Sequence, residues 1–134
     1  TSIEELGAYY RRTTNSPNRV IFAISDIETK KHIGNITLND INWVNRVANV
    51  GIMIGDKDYW GKGYGTEAIK LMVVYAFDRL NLHKIWAGIY AEHTASIRAF
   101  VKAGFAGVVN LVEELYRDGK YHDKVIVAKW NKKS

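Results

Sequence analysis

The amino-acid sequence predicts a mixed α/β fold, one sheet with helices packed on it. Three observations lead there. Short β-branched and apolar runs are separated by two helical patterns in the second half of the chain. The strand–helix–strand step between them demands a parallel pair, because an antiparallel pair would need only a short turn. Turn signals near both ends close antiparallel hairpins.

Taken in order, Ser2 to Arg12 reads as a helix, with Ser2 as N-cap and Glu5 three residues on, the capping-box spacing. Asn15-Ser16-Pro17-Asn18 breaks it. Val20–Ser25 and His32–Leu38 read as a hairpin about the polar turn Asp26–Lys31, and Asn39–Arg46 joins it to a third strand, Val47–Ile54, apolar enough to be buried on both faces. Gly55–Gly65 is a glycine-rich loop, and Thr66–Leu80 a helix with a wide apolar face. Lys84–Tyr90 is a strand. Thr94–Ala103 is a helix closed by Gly104. Phe105–Tyr116 and His122–Trp130 are strands about Asp118-Gly119, a strong hairpin signal.

The 134 residues, 47% of them apolar and 25% charged, suit one domain, residues 1–134, with a core of its own. No apolar run approaches the roughly 20 residues that cross a bilayer, and Thr1-Ser2-Ile3-Glu4-Glu5 is not a basic leader. No membrane partner is expected, and a cytoplasmic location is. The absence of cysteine excludes disulfides, thiolate nucleophiles and cysteine zinc sites, and no metal is expected. The net charge of +5 is spread along the chain. It suits a solvated surface or attraction to a phosphorylated small molecule. No aromatic–basic stacking platform points to nucleic acid.

The chemistry centres on Trp60-Gly61-Lys62-Gly63-Tyr64-Gly65-Thr66, between an apolar strand and a helix. A helix N-terminus offers unpaired N–H groups and a partial positive charge to a phosphate, and glycines let the backbone come close. The phosphate loop with Gly-Lys-Ser/Thr does not fit, since Lys62 precedes Gly63, and Gly-x-Gly-x-Gly is not the dinucleotide fingerprint.

With Gly63 and Gly65 at its last fixed positions, this loop resembles that of the GNAT N-acetyltransferases, in the branch of ribosomal-protein alanine and spermidine N-acetyltransferases. Trp60 stands where the family has Gln or Arg. A second block, His93-Thr94-Ala95-Ser96-Ile97-Arg98-Ala99-Phe100-Val101-Lys102-Ala103-Gly104-Phe105, is similar to the family's Asn-x-x-Ser-x-x-x-Tyr-x-Lys-x-Gly-Phe, and Tyr116–Asp123 is similar to the branch's final hairpin. The resemblance runs from about Val20 to Trp130. It implies the GNAT acyl-CoA acyltransferase fold, with Val47–Ile54 and Lys84–Tyr90 as splayed central parallel strands that admit acetyl-CoA as co-substrate. Backbone groups at Ile52, Met53 and Ile54 would hold the pantetheine and acetyl carbonyl, and Gly61, Lys62, Gly63, Tyr64, Gly65 and Thr66 the pyrophosphate. The family carries a further strand and helix ahead of this segment, so the chain, which has no initiator Met, reads as N-terminally truncated. Val20–Ser25 is then expected to have an open edge.

Acetyl transfer needs a neutral amine, donors for an oxyanion and an acid for the leaving thiolate. The family's Tyr acid is Phe100 here, which cannot donate, so Phe100 is assigned to packing against core or CoA. Ser96, at i−4 from it, is left to hold CoA or to donate a proton. His93, at the block's opening Asn, contacts CoA or caps the helix. Relatives carry Glu where this chain has Asn49. Of Glu113 and Glu114, which alternation sends to opposite faces, Glu114 is the candidate to face the acceptor, with Tyr116 beside it. His122 and Asp123 are assigned to the hairpin, His32 and His83 to strand edges, and Trp43 to the acceptor opening or to connector packing. The resemblance therefore implies an N-acetyltransferase. It would pass the acetyl group of acetyl-CoA to a primary amine (a small amine, an amino sugar or a protein N-terminus) by direct attack in a ternary complex. The alternative is a non-catalytic acyl-CoA-binding domain. A homodimer is left open.

Overall fold

The computed structural model describes the backbone of residues 2–5, 8–12 and 17–133, and the side chains of residues 17–133. Alternating burial sets the architecture. On β3 (Val20–Asp26), Val20, Phe22 and Ile24 are buried, and on β4 (His32–Asn42), Ile36 and Leu38. On β5 (Val47–Ile54), Ala48 and Val50 are buried, and on β6 (Lys84–Tyr90), Ile85, Ala87 and Ile89. Residues two apart share a face, so one face of the sheet is apolar. Two helices cover it. From α1 (Tyr64–Val74) Ala68, Ile69, Leu71 and Met72 enter this core, and from α2 (Thr94–Lys102) Phe100 does. With β1 (Ser2–Glu5), β2 (Ala8–Arg12), β7 (Ala106–Arg117) and β8 (Lys120–Trp130), the sheet has the order β1-β2-β3-β4-β5-β6-β8-β7. All neighbours are antiparallel except β5 and β6, which are joined by the α1 crossover.

Several expectations change. Ser2–Glu5 and Ala8–Arg12 are paired strands, not a helix, and β2 pairs with β3 from Ala8↔Asp26 to Arg12↔Phe22. The outer edge of β3 is thus closed rather than open: its backbone groups need partners that a helix would not supply. Leu6 and Asn15–Ser16 lie outside the described residues. Strand β4 runs on through a bulge to Asn42, with Asp40 at φ 51. Strand β5 is covered on one face only, Met53 being 71% exposed. The loop before α1 holds a 3-10 turn at Lys57–Tyr59, and α1 starts at Tyr64 and ends in a π-turn over Tyr75–Arg79. The last hairpin turns at Asp118 and Gly119, both with positive φ, as the sequence predicts.

The parallel pairing of β5 and β6 is short: Val47↔Lys84, Ala48↔Ile85 and Asn49↔Trp86. Ile85, fully buried, packs at this closed end. Truncating it to Ala is expected to cost about 2–4 kcal/mol, as for other buried Ile side chains. Urea denaturation checks this, and a loss below about 1 kcal/mol would mean that the junction does not rest on that packing.

Candidate active site

Beyond Asn49 and Trp86 the two central strands separate while each keeps its outer neighbour, β4 pairing with β5 to Ile54 and β8 with β6 to Tyr90. The inner edge of β5 past Asn49 therefore has no strand partner. The gap is a cleft of about 190 Å³, lined by Val50, Gly51 and Ile52 from β5, Ala87–Tyr90 from β6, and His93, Ser96 and Phe100 at α2.

The glycine loop lies at the far end of β5. Gly61 (φ 71) and Gly63 (φ 87) adopt the left-handed conformation, and a Cβ on either would meet no protein atom within 4 Å. Gly63 is the N-cap of α1 and offers no side chain to the first-turn amides. Its carbonyl accepts from Glu67, leaving the amides of Tyr64, Gly65 and Thr66 ahead of the first intrahelical bond. A peptide cradle that tolerates no side-chain strain, beside a helix N-terminus, fits a pyrophosphate. The Trp60 indole donates to the Ile54 carbonyl (2.6 Å), so this residue ties the loop back to the end of β5.

The β3–β4 turn clamps the loop from the other side. The Tyr59 hydroxyl donates to Asp26 Oδ2 (2.7 Å), Lys31 Nζ pairs with Asp56 Oδ2 (2.6 Å), and the Tyr59 and Tyr64 rings meet edge to face at 5.0 Å. The Tyr59 hydrogen bond holds Asp26 below the usual carboxylate range, with the backbone amide of Glu28 adding to it. Nothing in the composition or motifs pointed to this clamp.

Of the residues singled out in the sequence, Ile52, His93, Ser96 and Phe100 line the cleft together. Phe100 is 2% exposed, its ring against Phe105 at 5.0 Å. His93 occupies the N-cap position of α2 without a capping hydrogen bond; its Nε2 lies 3.4 Å from Arg117 Nη2. Met53 is solvent-exposed, and the Ile54 carbonyl is engaged by Trp60. Glu114 does not join the cleft. It sits exposed on β7, separated from β6 by β8. Alternation fails there because Val112, Glu113 and Glu114 bulge opposite Asp123, with Glu113 at φ 52. Asp123 Oδ1 accepts from the Glu113 amide and Oδ2 from Asn110, which together hold its carboxyl below the usual range. Trp43 is a connector residue, its indole donating to the Pro17 carbonyl.

Sequence reasoning missed Tyr90, which lines the cleft and ends β6. The Arg117 guanidinium lies 4.1 Å from its ring centroid, and His93 and His122 contact it at 5.3 and 5.5 Å. His122 Nδ1 pairs with Glu92, and its Nε2 faces the Arg117 carbonyl at 3.1 Å. Among the described residues no group of three His, Asp or Glu side chains could hold a metal ion, and no helix is long and apolar enough to cross a membrane.

The clamp gives a pH signature. Because the folded pKa of Asp26 is depressed, the stability from its Tyr59 bond is fully present above the unfolded carboxylate pKa of about 4. It is lost as pH falls through the lower folded value. Denaturation of wild type and Tyr59→Phe between pH 2 and 7 should show a stability gap that is constant near neutrality and closes in acid; a gap independent of pH would contradict the ionised pairing.

A family model described as Acetyltransferase (GNAT) domain matches residues 1–106. The spermidine N(1)-acetyltransferase of Vibrio cholerae serotype O1 is 31% identical over 122 residues, covering 91% of this chain and 69% of that protein. The spermidine N(1)-acetyltransferase of Escherichia coli K12 is 35% identical over 92 residues, covering 69% of this chain and 49% of that protein. A dodecameric structure of the Vibrio cholerae spermidine N-acetyltransferase superposes with a TM-score of 0.79 at 30% identity, covering 86% of this chain and 66% of that one. The chain thus spans between about half and two thirds of these relatives. With the family model matched over most of its length and the fold shared with a solved relative, the chain belongs to the GNAT acetyltransferase family.

Proposed function

We propose that this domain, residues 1–134, transfers the acetyl group of acetyl-CoA to a primary amine by direct attack within a ternary complex. The observation that carries this reading is the parting of β5 from β6 directly ahead of the Gly61–Thr66 cradle. One continuous path then joins an unpaired strand edge to an anion site. Acetyl-CoA supplies the thioester that the amine attacks.

The residues divide the work. Amides of Gly61–Thr66, with the mobile charge of Lys62, hold the pyrophosphate. The free edge of β5 at Ile52 offers the pantetheine the hydrogen bonds that β6 no longer takes, whereas the backbone of Met53 faces β4, its carbonyl lying where a Cβ on Gly34 would stand. Ile54 contributes through its side chain, 3.8 Å from where a Cβ on Gly65 would stand. Phe100, fully packed, shapes the wall. Ser96 and Tyr90 bring the two side-chain hydroxyls of the lining, and of these two groups a phenol is the stronger acid. Tyr90 is therefore assigned the proton for the leaving thiolate and Ser96 the positioning of CoA. Self-association belongs to the same reading: β7 is an edge strand with Val108, Val112 and Tyr116 exposed, and a relative is dodecameric.

The decisive experiment mixes the protein with acetyl-CoA and a panel of primary amines and follows free thiol. Thiol release that depends on the amine supports the transferase. Tight CoA binding without release favours the alternative, a non-catalytic acyl-CoA-binding domain, which the Phe100 replacement would suit. Three substitutions refine it. Gly63→Asn keeps a residue type that tolerates left-handed backbone but puts a side chain where the anion approaches; CoA affinity measured by calorimetry should fall about tenfold or more, roughly 1.4 kcal/mol. Unchanged affinity would remove the loop from the site. Tyr90→Phe should lower kcat by at least about tenfold with CoA affinity retained, whereas Ser96→Ala should chiefly weaken CoA binding. The opposite pattern would exchange their roles.

A further inference from the structure

Ile85, Ala87 and Ile89 face the helices, so Trp86, Gly88 and Tyr90 lie on the opposite, uncovered face of the sheet. If the co-substrate enters from the helix side, where the glycine cradle opens α1, the amine reaches the cleft from this open face. The charges there are one-sided. Lys124, paired with Tyr90 in register, lies across Gly88, its Cε occupying the place a Cβ would take, and its Nζ is 5.9 Å from the Trp86 ring centroid. Arg117 stacks on Tyr90, with its nearest carboxylate, the exposed Asp118, 3.8 Å from Nε. On the β4–β5 side the same face carries Asn35, Thr37, Asn39 and Asn49, which are polar but uncharged. No carboxylate lines the cleft. Glu92, next in the chain to the lining residue His93, is paired with His122.

A polycation entering here would meet two cations and no carboxylate in the cleft lining. We propose that the acceptor of this domain is a primary amine carrying a carboxylate, received by Arg117 and Lys124, rather than a polyamine. This rests on the acetyltransferase reading above. The geometry suits it, because a guanidinium held flat on an aromatic ring keeps its outer N–H groups in the plane that a carboxylate needs. The aromatic faces of Trp86 and Tyr90 line the approach for an aliphatic spacer.

The test uses matched acceptors: 4-aminobutyrate and 6-aminohexanoate, each against its own amide, with spermidine as the polycation. Calorimetry with CoA is run alongside. The expected result is kcat/KM at least about tenfold higher for one of the acids than for its amide or for spermidine. That preference should be lost in Arg117→Ala and reversed toward spermidine in Arg117→Glu, while CoA affinity stays the same in both variants. Lys124→Ala gives an independent second variant. Equal turnover of acids and amides, preference for spermidine, or no turnover of any of these amines by a protein that binds CoA would each overturn the proposal. A fall in CoA affinity in Arg117→Ala would reassign this cation to the co-substrate. Failure of the wild type to bind CoA would instead overturn the acetyltransferase reading itself.

Discussion

Everything at the site depends on the point where β5 and β6 stop pairing. A sheet normally satisfies its backbone groups strand by strand, and an interior edge left open is costly unless something else takes its place. Here three paired positions hold the strands together at one end, and past Asn49 and Trp86 each strand relies on its outer neighbour alone. Buried Ala48 and Ile85 weld the closed end, while Gly51 and Gly88 face each other across the open one. The cleft is therefore part of the sheet, and its closed end rests on the core. An extended substrate that hydrogen-bonds along β5 would replace the missing strand.

The second constraint couples the glycine-rich loop to the β3–β4 turn. Strands β3 and β4 turn at Asp26–Lys31, and both ends of that turn reach across to the loop, through Tyr59 and through Asp56. Trp60 adds a third tie, to the carboxyl end of β5. A glycine-rich segment with two left-handed residues would otherwise have a large conformational freedom to lose on binding. Held on three sides, it presents its amides with that cost already met in folding.

Most of the strand pattern was legible because the core faces alternate cleanly: β5 and β6 have the predicted bounds, and the glycine loop precedes a helix as its composition requires. What was not legible depends on partners distant in sequence. Ser2–Glu5 matches a capping box locally, yet the adjoining backbone is taken by the edge of β3, a contact no local pattern encodes. The face of Glu114 was misjudged because the bulge at Val112–Glu114 is set by Asp123, a side chain on the neighbouring strand, not by any residue within β7. Tyr90 looked like the last residue of a strand. Its placement in the cleft becomes visible only once Arg117 and the two histidines are seen to gather around it.

That gathering also bears on how an amine could lose its proton at a site without a carboxylate base. Asn49 is neutral, Glu114 is remote and Glu92 is committed to His122, so no acid in contact with the cleft is free to accept a proton. Cations near an amine act on the other side of the same equilibrium. A positive charge close by disfavours the ammonium form and lowers its pKa, so an amine entering here would lose its proton to solvent more readily. The bulge on β7 lies just ahead of this cation in the chain. Three residues stand opposite one there, a placement that increases local twist and bends a hairpin, and beyond it Arg117 lies over the Tyr90 ring. A charge that orients a carboxylate would then also keep the attacking nitrogen neutral, and the two roles would be inseparable in any variant that removes it.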